Sequence, residues 1–478
     1  MSSNVKNNIK RGVFWTAILA FGKQGLNLLA TILLARLLCP DDYGLIGMIA
    51  IFISVSESII DAGLGGALIK KKEVTAIDYA TLNTYNLSVS VILYLLIFLL
   101  APLVAHFYDK PILVSLLRLY SLTILIDAVA IVPKVKLSRE LRFKELSVTT
   151  VLSGFVGLVS AVAMALMGYG VYSLIMQYVV SSLAGIIILF FYTRYLFSFG
   201  FSFVSFKELF TFGVNTTLST TIKGFSENLF TNIIAKISPL NVTGYYNQSF
   251  KIQNVLLSML QRITEGALFP VLCREKDKEV VRISMKLITF SFFLMTVMYF
   301  LLIINTRLIV LLLLGQNWLS VEVYLKLLLV VGLFQNFTAL NRNMLKSLAK
   351  TFDILLTEIV ALIFIGISLW ILPTETNYIL AVLAAYSLVR FVISVLFICK
   401  KRHLLGLRQY ARQFAESFSI PLFSVLCALG SKCLLDSIIL QNALFVVICW
   451  ILSEYFKPEA YLELKSIALT RIKNITKK

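Results

Sequence analysis

Thr16-Ala-Ile-Leu-Ala-Phe-Gly-Lys23-Gln-Gly-Leu-Asn27-Leu-Leu-Ala-Thr31-Ile-Leu-Leu-Ala35 is followed 200 residues later by Thr216-Thr-Leu-Ser-Thr-Thr-Ile-Lys223-Gly-Phe-Ser-Glu227-Asn-Leu-Phe-Thr231-Asn-Ile-Ile-Ala235. Laid over one another without a gap, residues 15–68 and 215–268 agree at 11 of 54 positions, where a composition this skewed gives roughly four by chance. Thr16/Thr216, Lys23/Lys223, Thr31/Thr231, Ala35/Ala235, Gly44/Gly244 and the Gly-Ala-Leu at 66–68 and 266–268 all coincide. The shared positions include a lysine in an apolar stretch, where membrane spans avoid charge, and this gives the duplication its weight.

The rest of the chain has the composition of a lipid-embedded protein. Of 478 residues 59% are hydrophobic and 14% charged, and the mean hydropathy is +0.87, too little polar surface for a water-soluble globule. Fourteen apolar stretches, at about 13–38, 44–66, 80–106, 112–133, 147–168, 172–193, 211–237, 248–271, 283–304, 321–345, 351–372, 377–399, 415–435 and 438–456, predict an all-α polytopic membrane protein. The first stretch follows a basic start, is longer than a signal-peptide core and lacks a small-residue cleavage site, so an uncleaved span is expected.

Lys and Arg orient the spans, because they are retained on the cytoplasmic side. With the amino terminus inside, inward segments carry 32 of the 44 basic residues, among them Lys70 to Lys72, Lys134 to Lys144 and the run from Lys400 to Arg412. Both termini are therefore expected in the cytoplasm. The net charge of +19 is scattered over many short loops. Anionic lipid headgroups are the partner this implies, and nucleic acid is not expected.

A repeat that holds six spans each time begins and ends on the same side, so the two copies are parallel. The expected domains are an N-terminal six-helix bundle over 1–197, a cytoplasmic linker over 198–210, a second six-helix bundle over 211–400, and a loop, helices 13–14 and basic tail over 401–478. The linker carries Phe199-Gly-Phe-Ser-Phe203 and is read either as an interfacial amphipathic segment or as plain loop. Spans 13 and 14 have no partner in the repeat and are expected as an appendage. Gly63, Gly65 and Gly66 are read first as sites of close helix packing, and second as a bend.

The chain has no phosphate-cradling loop and no H-E-x-x-H, and His106 and His403 are its only histidines. No catalytic residue, no metal site and no cofactor is expected. The six cysteines show no paired spacing and are read as small apolar residues. What remains is charge inside the spans. Thr216, Thr220, Lys223, Glu227 and Thr231 step by three or four along one face of span 7, and Thr16, Lys23, Asn27 and Thr31 repeat the pattern in span 1. A charge facing lipid at mid-bilayer costs from a few to more than ten kcal/mol, so these faces are expected to line water or meet other helices.

Lys23, Asn27, Arg118, Lys223, Glu227, Arg262 and Arg390 are the candidates for holding an anionic, sugar-bearing head. Glu57, Asp61, Asp127, Glu227 and Glu265 are the candidates for a coupling H+ or Na+. Lys326 and Glu358 are further charges within spans. Lys223 and Glu227 are also read as an i, i+4 pair that only binds helices together. Arg118, Arg262 and Lys326 either line the interior or snorkel from span ends.

Phe14-Trp15, Ala35-Arg36-Leu37-Leu38 leading to Asp42-Tyr43-Gly44, and Asp61-Ala62-Gly63-Leu64 before a lysine run resemble the first two spans of bacterial polysaccharide flippases. Further along, Lys136 to Lys144, Ala235 to Asn247, Leu268-Phe269-Pro270 and Leu314-Gly315-Gln316-Asn317-Trp318 also fall where these flippases have similar words. The chain is thus similar to the multidrug/oligosaccharidyl-lipid/polysaccharide exporter superfamily, in its colanic-acid exporter-like branch. The resemblance implies two six-helix bundles around a central cavity and an ion-coupled, alternating-access flippase of the bacterial inner membrane. It implies an undecaprenyl-pyrophosphate-linked oligosaccharide as substrate, for lipopolysaccharide, capsule or other surface polysaccharide, with polymerase or export proteins as partners. In one place the chain departs from the family: Asn228-Leu229-Phe230 stands where the pattern often has Asn-Leu-Asp, which puts a cation role there in question unless Glu227 replaces the acid. The rival readings are a cation-coupled antiporter of drugs or small metabolites, and a non-transporting membrane scaffold of a glycan-assembly complex.

Overall fold

A computed structural model describes residues 22–61, 63–71, 73–194, 198–272, 277–348, 351–373, 375–399, 407–430 and 438–456, with 458, 461–462 and 465 in the tail; the side chains of 61, 70, 212–216, 286–287 and most of 259–283, among others within the helices, lie outside the description. Every described element is helical: α1 over 22–37, α2 Pro40–Asp61, α3 Leu64–Lys70, α4 Ala76–Phe107, α5 Ile112–Arg139, α6 Phe143–Leu166, α7 Val171–Thr193 and α8 Phe203–Ile237. There follow α9 Leu240–Leu272, α10 Asp277–Ile304, α11 Thr306–Leu313, α12 Val321–Ser347, α13 Thr351–Ile371, α14 Thr376–Cys399, α15 Leu407–Gly430 and α16 Ile438–Phe456. Among the described residues each of the fourteen expected spans overlaps a helix. Among the described residues eight helical spans are long and apolar enough to cross a bilayer, and nine if the bent pair α10/α11 counts as one. The physical reason is general: hydrocarbon offers backbone groups no partner, so a spanning segment closes its own hydrogen bonds.

Local sequence sets the breaks. Gly63 takes φ +69°, a left-handed conformation at the break between α2 and α3. A Cβ on Gly66 would meet nothing within 4 Å. Of the two readings of this glycine cluster, close packing does not hold at Gly66, and α2 and α3 together form one candidate span, Pro40–Ile69. α4 opens with a capping box in which Thr75 and Asp78 each accept from the other's backbone N–H. The 68° bend between α10 and α11 is held at Asn305, whose amide exchanges two 2.8 Å bonds with that of Asn442 on α16.

The chain forms two compact units, residues 1–255 with 369–379 and residues 256–368 with 380–478. In the first, α4 packs on α5, α6 on α7, and α8 lies along α2 and against α3 and α4. Helix α8 starts at Phe203, so the segment expected as a linker is extended only over 198–202. That stretch is bonded along one turn of α4: Asn83 Nδ2 donates to the Ser198 carbonyl (3.2 Å), Thr84 Oγ1 to the Gly200 carbonyl (3.0 Å), and the Ser202 N–H to Thr81 Oγ1 (3.0 Å). Beside it Lys71 donates to Asp78 (3.1 Å) and Glu208 (2.9 Å). Arg139 donates to the carbonyls of Leu68 and Lys71. Leu209 of α8 is buried with Leu64, Leu68, Leu82 and Val132, so the start of α8 belongs to this core.

In the second unit α15 is no loose appendage. It packs against α10, Tyr410 donates to Asn341 of α12 (2.8 Å), and Ser417 donates to the Thr289 carbonyl (3.4 Å). Phe414 sits 5.5 Å from Phe292 and 5.1 Å from Phe391, within an aromatic cluster drawn from α10, α12, α14 and α15. Such edge and offset contacts add to the burial of large apolar rings.

Candidate functional site

The first unit brings together two groups of the expected residues. Glu57 on α2 is exposed along its helix, and Asp127, Lys23 and Lys134 lie close enough to act on its charge. Asp127 on α5 accepts from Ser182 Oγ (3.1 Å), and Tyr120 and Tyr178 pack against each other at a tilt with ring centres 5.2 Å apart, close enough to Glu57 to feel its charge. Two acids, two lysines and two tyrosines drawn from α1, α2, α5 and α7 thus gather around Glu57. Asn27 is exposed on α1, and its carbonyl accepts from Thr31 (2.8 Å).

The second group lies on α8. Lys223 and Glu227 are 3.8 Å apart and half-buried. Asn228 Nδ2 donates to Ser54 Oγ of α2 (3.1 Å), and Tyr246 lies close enough to Glu227 to feel its charge. Gly224, between the lysine and the acid, has nothing within 4 Å of where a Cβ would stand, so this middle stretch of α8 borders open space. Both ends of α8 are bound to the first unit, and its polar middle crosses between them.

At the end of the unit that carries the turns 38–40 and 238–240, the repeat itself closes a seam. A Cβ on Gly44 would stand 2.5 Å from the Leu240 carbonyl oxygen, and one on Gly244 would overlap the carbonyl of Pro40. Positions 40 and 240, and 44 and 244, are repeat mates, so each glycine receives the first residue of the other copy's helix. Gly47 faces Thr231 and its own mate Asn247, whose Nδ2 donates to the Tyr43 carbonyl (2.8 Å). Tyr108 donates to Asn232 (2.7 Å), and Lys236 donates to the Phe107 carbonyl (2.5 Å) and pairs with Asp109 (3.6 Å). Only glycine allows backbones to approach this closely.

Other expected residues lie elsewhere. Arg118 places its guanidinium 4.0 Å over the Phe98 ring and donates to the Phe98 carbonyl (3.4 Å). Lys326 pairs with Glu322 at 2.5 Å. Arg390 belongs to the second unit, where it donates to Glu358 (2.7 Å) together with Arg342 (2.5 Å), both acid and Arg390 being buried. That triad has the form of a helix-binding ion group. The side chains of Asp61, Arg262 and Glu265 lie outside the described residues. The sequence pattern marks Lys134 only as a charge of an inward segment and does not single out Tyr120, Tyr178 or Lys251. The last had a readable signal, being a lysine inside an expected span.

Residues 33–323 match the family described as "Polysaccharide biosynthesis protein". The chain belongs to that family. The lipopolysaccharide biosynthesis protein WzxC of Escherichia coli K12 is 25% identical over 329 residues, 68% of this chain and 67% of WzxC. The succinoglycan biosynthesis transport protein ExoT of Rhizobium meliloti 1021 is 26% identical over 288 residues, 59% of this chain and 58% of ExoT. Among solved structures, the lipid II flippase MurJ in its inward closed conformation superposes with a TM-score of 0.72 at 11% identity, covering 93% of this chain and 98% of that one. The family member described here therefore has the fold of that flippase and is a multi-pass membrane transport protein, not an enzyme. The resemblance read from its motifs stands.

Proposed function

We propose that this protein carries a lipid-linked oligosaccharide from the cytoplasmic to the outer leaflet of the bacterial inner membrane by alternating access, with undecaprenyl pyrophosphate as the carrier. The observation that carries the reading is the charge carried within the spans of the first unit, where Lys23 and Asp127 lie close enough to Glu57 to act on its charge while Lys223 and Glu227 stand on the polar middle of α8. Such charge has to face water or an ionic ligand. The lysines would hold phosphate oxygens, and Asn27, Asn228 and the tyrosines would bond sugar hydroxyls. This reading leaves Arg390 out of the substrate set, since it is buried against the Glu358 carboxylate that it shares with Arg342.

Glu57 and Asp127 are the acids best placed to exchange H+ or Na+ as the load changes, because each state of charge alters the field at Lys23. The bias of Lys and Arg places the seam end outside and both termini in the cytoplasm. In this reading the seam between residues 40–44 and 240–244 is the outer closure. The polymerase or export proteins that receive the glycan would meet the carrier on that side.

The test is reconstitution in liposomes with a lipid-linked sugar, scoring leaflet transfer with and without a proton or sodium gradient. Transfer that depends on Lys23 and Lys223 is expected, and K23A and K223A should each end surface-glycan export with protein abundance unchanged. Transfer that persists in both variants would remove the lysines from the mechanism.

A further inference from the structure

Lys251 is the interior cation that the site above does not use. It lies eleven residues into α9, about 16 Å along the axis, which puts it near mid-bilayer if the start of α9 marks the surface. The side chain is half-buried. Among the described residues no carboxylate lies within ion-pair distance of it. What it meets is the face of Tyr43, with Nζ 4.8 Å from the ring centre.

Tyr43 is itself part of the seam. Its carbonyl accepts from Asn247, one turn before Lys251 on α9, and the next residue is Gly44, packed on the Leu240 carbonyl. The lysine therefore reaches the closure through an aromatic ring, on the side that faces the interior. A cation held by a ring is held weakly compared with one that meets an anion: charge-assisted bonds to phosphate oxygens are stronger and directional.

We propose that Lys251 couples anion arrival to the seam: phosphate-ester oxygens entering the interior draw its ammonium from Tyr43, and the loss of that contact loosens the 43–44/240–247 closure. The inference rests on the reading of an anionic headgroup as cargo, and deepens it by naming the residue through which the load reaches the gate. Lys23 and Lys223 hold the load, whereas Lys251 is a positioning residue that reports it.

The test uses the full chain with its six native cysteines replaced and a single Ser54→Cys reporter, which lies ten residues deeper than Gly44 along α2. Proteoliposomes are sorted with the seam outward, and an impermeant maleimide is added outside. Inside, one arm holds inorganic pyrophosphate and another holds an isoprenoid phosphate in the bilayer. In the otherwise unaltered chain the anion should raise labelling about tenfold, the population shift that corresponds to about 1.4 kcal/mol. In K251Q labelling should be raised from the start and insensitive to either anion, while K251R and Y43F, which keep a cation and a ring, should keep the response. A response in the lipid arm alone assigns the effect to the lipid headgroup, and one in both arms to phosphate chemistry in general. A K251Q chain that responds like the parent overturns the coupling. So does a parent that responds to neither anion, and leaflet transfer of lipid-linked sugar in the same vesicles then decides separately whether the transport reading survives.

Discussion

Gly244→Ala puts the closing seam to a quantitative test. The added Cβ would overlap the backbone carbonyl of Pro40, and no side-chain rotation relieves a clash with backbone. Overpacking of this kind costs about 1–3 kcal/mol. Alanine also favours the helix by about 1 kcal/mol over glycine, but that gain is present whether the seam is open or closed and cancels in the equilibrium between them. The open population should therefore rise by roughly 5- to 150-fold, while global stability falls by less than the clash alone. The assay is maleimide labelling of the Ser54→Cys reporter from the seam side, alongside thermal unfolding of the purified protein. The neighbouring glycines calibrate the result. Gly44→Ala meets a carbonyl at 2.5 Å and a movable leucine side chain, so its effect should be smaller. Gly47→Ala meets only the side chains of Thr231 and Asn247, at 3.0 and 3.2 Å, and should shift labelling least of the three. Gly366→Ala on α13, with nothing within 4 Å, should leave labelling alone and stabilise slightly. Lower stability in G244A with labelling at the parental rate would refute the gate and leave permanent packing in its place.

Further outcomes follow from the ion groups. Glu358→Gln leaves Arg342 and Arg390 without their shared carboxylate, and removing one partner of a buried pair costs about 3–5 kcal/mol; denaturation of the purified variant should show that loss, and an unchanged midpoint would refute the structural role of the triad. Phe337→Ala, at the centre of the aromatic cluster and fully buried, should cost about 3–5 kcal/mol by the same measurement. Lys71 has its pKa raised above the ordinary lysine value of about 10.4, first by its hydrogen bond to Glu208 and further by Asp78, against a smaller effect of burial. A raised pKa means that stabilisation is fully present below the unfolded value and is lost as pH rises through the folded one. The stability difference between the parent and K71M should hold constant from neutral pH to about pH 10 and shrink above it; a difference that instead shrinks between pH 7 and 9 would rule out the Lys71–Glu208 bond as its source.

The limits of the sequence reading show at particular residues. The fourteen apolar stretches were legible because each helix satisfies its own backbone and needs no partner to be recognised. Span 2 is legible as a helix with a glycine-rich end, but whether another helix packs closely on Gly66 depends on the rest of the chain, and nothing lies within 4 Å of where its Cβ would stand. Arg390 looked like a substrate ligand because its acid, Glu358, is 32 residues away on a different helix. The polar pattern of α8 pointed to an interior face through its three-to-four spacing alone. Nothing in that spacing indicated that both ends of the helix would bind the first unit.

Composition and periodicity suffice for an all-helical membrane protein with an internal duplication and charge on an inner face, because hydrocarbon penalises open backbone and lipid-facing charge wherever they occur in the chain. Partnership between distant helices has no such local signature. That Gly44 and Gly244 each receive the other copy's first residue, that Asn228 bonds Ser54, and that Lys251 rests on Tyr43 all depend on the registers of helices brought together across about 200 residues, and only the tertiary structure decides them.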